Sequence, residues 1–147
     1  MLRANMVISI PQPGRRIRLL VMGYGLIVLL WLSLEDNQTE PVVALGVVMA
    51  LLGVALLCLN TMGGKTIQAD YVLPSLVGAG IITGLGASVA SAGLMFFKTA
   101  LHAHLFPDYP PLMMLAVLER APVWAVAGGL FGLGIGLAWS AFISARR

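Results

Sequence analysis

Six side chains able to hold a metal, handle a proton or bind an anion fall within one stretch: Lys98, His102, His104, Asp108, Glu119 and Arg120. Two imidazoles and two carboxylates are the donor types of a metal site, which wants three or four ligands in fixed geometry. Ionisable groups gathered at one place are also where proton handling occurs. If the helix bearing Lys98 continues through Leu105, Lys98 and His102 share a face at i, i+4, and Pro107 stops it. His102 and His104, two apart, then point to different sides and converge only in an extended segment. This spacing specifies no ligand set, so no metal, cofactor or catalytic residue is assigned. The expectation is an interfacial belt, with Lys98 and Arg120 paired to Asp108, Glu119 or lipid phosphate. A metal or proton-handling site and a docking surface for a partner protein are the alternatives.

Other motifs carry less. Gly63-Gly64-Lys65-Thr66 has the ending of a phosphate-binding loop, but position 59 is Leu and no soluble sheet surrounds it. A loop with one snorkelling lysine is the better account. Asn37-Gln38-Thr39 matches a glycosylation acceptor by chance in a loop of six residues. Cys58 is the only cysteine, so the chain forms no internal disulfide.

The elements that position these residues follow from composition. Of 147 residues, 59% are hydrophobic and 10% charged, with mean hydropathy +0.95. A soluble domain carries about a quarter of its residues as charge. A soluble enzyme, a nucleic-acid binder and a disordered chain are excluded. The whole chain, 1–147, reads as one all-α integral membrane domain. Apolar runs at 17–34, 41–59, 72–97 and 122–143 give a four-transmembrane-helix bundle. At 1.5 Å per residue they span about 27, 28, 39 and 33 Å against a hydrocarbon core of about 30 Å. The first two just cross, whereas the third must tilt or emerge. Pro41 and Pro122 open their helices, and residues 111–120 read as a short external interfacial helix. The segment 30–35 offers no small-residue cleavage site, so the first run is expected to be an uncleaved helix with a basic anchor.

Orientation follows from the cations. With the N-terminus inside and four spans, Arg3, Arg15, Arg16, Arg18, Lys65, Arg146 and Arg147 lie inside, and only Lys98 and Arg120 outside. That split predicts cytoplasmic N- and C-termini. Trp31 and Trp124 then fall near the outer interface, Tyr71 and Trp139 near the inner one.

Small residues recur every four positions: Gly80, Gly84, Ser88 and Ala92 in the third run, and Gly128, Gly132, Gly136, Ser140 and Ser144 in the fourth. Such a glycine zipper forms a groove in which a second helix approaches closely, first of all within a hairpin of these two runs. Each four-residue step advances about 40°, so the ridge winds and one crossing uses only part of it. Gly132-Leu133-Gly134-Ile135-Gly136 resembles the glycine-rich helix of rotary ATPase ring subunits. Those rings need a carboxylate in mid-membrane, and none of the four runs contains Asp or Glu. The expected function is a non-catalytic accessory, assembly or scaffolding subunit whose partners are the lipid bilayer and other membrane subunits or copies of itself, with no nucleic acid. The alternatives are an oligomeric transporter or channel, and a membrane enzyme or metal site using the His cluster.

Overall fold

Backbone groups in lipid must find partners within their own segment, and the apolar runs accordingly coil into helices. The computed structural model describes residues 7–34, 37–102 and 107–145. Among them are five α-helices: α1 (Arg15–Leu32), α2 (Thr39–Met62), α3 (Val72–His102), α4 (Pro111–Glu119) and α5 (Ala121–Ala145). Two short strands, β1 (Val7–Ser9) and β2 (Thr66–Gln68), and a 3-10 turn at Ala69–Tyr71 complete the elements. Three stretches, Thr39–Met62, Ala69–His102 and Ala121–Ala145, are long and apolar enough to cross a membrane. The chain is a multi-pass hydrophobic helical bundle, with α4 a shorter helix of the length an interface accommodates. α1 has 18 residues and carries three arginines, Arg15, Arg16 and Arg18, at its start. Arg3, Arg146 and Arg147 lie outside the described residues.

Helix starts differ from the apolar runs by a few residues. Thr39 and Glu40 join α2 ahead of Pro41, because a carboxylate in the first turn faces the positive end of the helix dipole. Proline is tolerated there, where its missing N–H leaves no bond unmade.

α3 is the spine. α5 runs antiparallel along it, and the two backbones meet at glycines. A Cβ at Gly80 would collide with the Gly128 carbonyl, one at Gly84 with the Trp124 carbonyl, and one at Gly132 with the Leu76 carbonyl. Gly136 lies against the Leu73 side chain. The remainder of each four-residue ridge goes elsewhere. Ser88 Oγ donates to the Val117 carbonyl of α4 at 2.5 Å, and Ala92 is buried. Ser140 Oγ donates to Gly136 O at 2.9 Å, and Ser144 Oγ to Ser140 O. α4 and α5 thus lie end to end along α3, in the order Val117 by Ser88, Trp124 by Gly84 and Gly128 by Gly80. On its other side α3 receives α2, where a Cβ on Gly46 would strike Ser91 and one on Gly86 would touch Ala50 at 3.3 Å.

The large buried side chains gather at one end of the bundle: Val28 and Trp31 of α1, Val42 of α2, Leu94 and Met95 of α3, and Tyr109. α1 joins only through this end. It buries Val28 and Trp31 alone, and Tyr24 Oη donates to the Leu45 carbonyl at 2.6 Å. At the opposite end the chain before α1 is tied down by a pairing that the sequence pattern did not announce. β1 and β2 are antiparallel, with Val7 opposite Gln68, Ile8 opposite Ile67 and Ser9 opposite Thr66. Ile10 N–H donates to Lys65 O at 3.0 Å, and Gly64 N–H returns to Ile10 O at 2.9 Å. Gly64 sits at φ +77°, a backbone state that glycine enters without a Cβ penalty. Lys65 Nζ donates to the Thr61 carbonyl at 2.7 Å, placing a cation at the negative end of α2. The Gly-Gly-Lys-Thr stretch is therefore a helix stop and strand start.

Gly132→Leu is expected to push α5 off α3 and to lower the unfolding midpoint in detergent, overpacking of this kind costing about 1–3 kcal/mol or more. Gly134→Leu, where a Cβ meets nothing within 4 Å, is expected to leave the midpoint within about 0.5 kcal/mol of the parent, as for surface substitutions generally. Equal loss in both variants would show that the contact is not the cause.

Candidate functional site

The polar cluster assembles at the C-terminal end of α3, and α3 builds most of it. Helical spacing sets Lys98 and His102 four residues apart, with Thr99 between them. Lys98 is fully buried, with 0% of its surface exposed. The sequence suggests an interfacial belt shared with Arg120, whereas Lys98 is enclosed within the bundle. Its Nζ stands 4.3 Å from the centroid of the Trp31 ring. The last turn of α1 lays the indole face over the ammonium, and a ring quadrupole attracts a cation placed over its face. The indole face offsets part of the cost of enclosing a lysine here. Trp31 is itself 7% exposed, and its Nε1–H is buried with no hydrogen-bond partner among the described residues.

His102 and Asp108 come together across the chain reversal. Nδ1 of His102 lies 2.5 Å from Asp108 Oδ2, both side chains being mostly buried. This contact orients the imidazole ring. Next to this pair, Tyr109 N–H donates to Thr99 Oγ1 at 3.2 Å. The Tyr109 side chain is fully buried, and its hydroxyl donates to the Gln38 carbonyl at 2.9 Å. One residue of the α3–α4 connection thereby ties α3 to the start of α2.

Glu119 and Arg120 do not join the cluster. α4 turns back along α3 from Thr99 towards Ser88, a descent of about 16 Å at helical rise. It carries the two charges to its far end, where both are exposed. His104 lies outside the described residues. Among the described residues, no three His, Cys, Asp or Glu side chains converge as a metal site would need.

Thr99 and Tyr109 were not singled out from the sequence, and Trp31 and Gln38 were noted there only as an interfacial aromatic and a loop residue. Tyr109 carried one signal, an aromatic with a polar handle between Asp108 and Pro110. Chemically, the arrangement holds one oriented imidazole and one enclosed cation. Mechanically it fastens α1, α2, α3 and the α3–α4 connection at one place.

A double-mutant cycle with Trp31→Leu and Lys98→Met tests the enclosure. Detergent unfolding is expected to give a coupling of about 0.5–2 kcal/mol, the range for a desolvated cation–π pair. Additive single effects would mean that the ring does not hold the ammonium.

No family model matches the chain, and neither a curated protein nor a solved structure matches it.

Proposed function

We propose that this protein is a non-catalytic accessory, assembly or scaffolding subunit of a membrane complex. In this reading it crosses the bilayer four times, with both termini on the cytoplasmic side. α1 is the fourth span. Its 18 residues reach about 27 Å, just enough for the hydrocarbon core, and its three arginines stay at the cytoplasmic interface.

The observation that carries the proposal is a division among the glycines. At Gly46, Gly80, Gly84, Gly128 and Gly132 the space of a Cβ is taken by neighbouring backbone, whereas Gly23, Gly25, Gly53, Gly78, Gly93 and Gly134 face open space. Glycine within a helix costs about 1 kcal/mol against alanine. Small residues in a membrane helix are where a second helix approaches closely. Gly25 opens onto a crevice of about 810 Å³ between α1 and α2, bordered by Met22, Leu26, Leu29 and Met49. The polar groups, in contrast, bind the chain to itself. Tyr24, Ser88 and Tyr109 each donate to a carbonyl of another element, and Lys98 is enclosed under Trp31. Adhesion between helices is what this surface offers.

Extraction of the full chain from its native membrane in mild detergent, followed by native mass measurement, is the test. A stoichiometric partner, or a second copy, is expected with the parent and with His102→Ala. It is expected to be lost with Gly25→Leu or Gly134→Leu while the helical content is unchanged. A lone parent monomer, or a complex indifferent to both glycine substitutions, would contradict the proposal.

A further inference from the structure

We infer that the second crevice beside α1 is a binding site for one anionic glycerophospholipid. Its phosphate sits on Arg16, and an acyl chain lies along the groove. The crevice measures about 720 Å³ and is lined by Arg16, Leu19, Leu20 and Ile27 of α1 with Val48 and Leu52 of α2. It exists because α1 packs into the buried core only through its C-terminal part. Val28 and Trp31 are its buried residues, both in its last turns, and the faces below them stand open. At the other end Pro13 rests beside Gly63, 3.3 Å from where a Cβ would be, which holds the start of α1 near the α2–β2 turn.

Three features select the occupant. Besides Arg16 at one end, the one polar side chain of the lining is Tyr24, whose hydroxyl already donates to the Leu45 carbonyl, so the site matches a molecule with one charged terminus. Arg15, Arg16 and Arg18 fall within one helical turn, with no acidic residue in that turn, so the charge of the ligand is negative. From Arg16 to Ile27 is about 16 Å along the helix axis, about half the roughly 30 Å hydrocarbon core, the depth of one leaflet. A basic pocket between membrane helices is a recognised form of anionic headgroup site. Leu19, Leu20 and Ile27 are each more than half exposed, and an acyl chain covers them without needing a rigid partner surface.

The inference rests on α1 lying in the bilayer, as in the four-span reading, and the test separates the two. The full chain is purified in detergent and supplied with phosphatidylglycerol or phosphatidylcholine, and bound lipid is counted by native mass measurement. One phosphatidylglycerol is expected to remain, held at least tenfold better than phosphatidylcholine and not displaced by millimolar inorganic phosphate. Arg16→Gln and Val48→Trp, one removing the charge and the other filling the groove, are each expected to abolish that preference. Arg120→Gln, the same charge change elsewhere, is expected to keep it. Equal retention of both lipids, displacement by free phosphate, or equal loss in all three variants would overturn the site. In parallel, a nitroxide at Gly25→Cys in a Cys58→Ala background, in vesicles, reports whether α1 is shielded from an aqueous relaxation agent. A shielded label with no lipid preference sinks the lipid site alone, and an accessible label sinks the membrane placement of α1.

Discussion

The bundle depends on two helix backbones touching with no side chain between them. Where α3 meets α5, the space that a Cβ would fill at Gly80, Gly84, Gly128 and Gly132 is occupied by carbonyl groups of the opposite helix. Lipid is as apolar as leucine, so hydrophobicity cannot drive these helices together. Close van der Waals contact and Cα–H to carbonyl contacts can, because both need the short approach that glycine permits. Once α5 lies against one side of α3, α4 is carried along the same line and Ser88 meets the Val117 carbonyl. The connection leading into α4 must then turn at the end of α3, and this turn is what sets Asp108 beside His102 and Tyr109 beneath the start of α2.

The two ends of the bundle are built differently as a result. One end contains the large buried side chains and the enclosed lysine. A charge buried there is costly unless it is compensated, and the indole face supplies part of that compensation. The other end is held by backbone: the α3–α5 glycines, the β1–β2 pairing and the Lys65 contact with the end of α2. α1 belongs to the first end and leaves crevices on both flanks lower down. A helix attached in this way is a surface element with open crevices along it.

Much of the helical architecture is legible in the residues. Long apolar runs coincide with the long helices, Pro111 opens α4, and Gly80, Gly84, Gly128 and Gly132 lie where α3 meets α5. The pattern did not foretell which part of each ridge would be used, since a ridge that winds by about 40° per step meets several neighbours. β1 was invisible because a three-residue strand shows no periodicity, and its partner lies nearly sixty residues away. Lys98, expected in an interfacial belt, is enclosed instead. Its local sequence gives no sign of the Trp31 indole, which arrives from a different helix. His102 and Asp108 were named together, but only the reversal at Pro107–Pro110 brings them into contact.

The thermal midpoint of Gly80→Ala in detergent tests the backbone contact most directly, because two physical effects differ in sign there. Helix propensity alone favours alanine by about 1 kcal/mol and would raise the midpoint. The account predicts a fall, corresponding to about 1–3 kcal/mol of overpacking, since the added methyl meets the Gly128 carbonyl. A midpoint equal to or above that of the parent would contradict it.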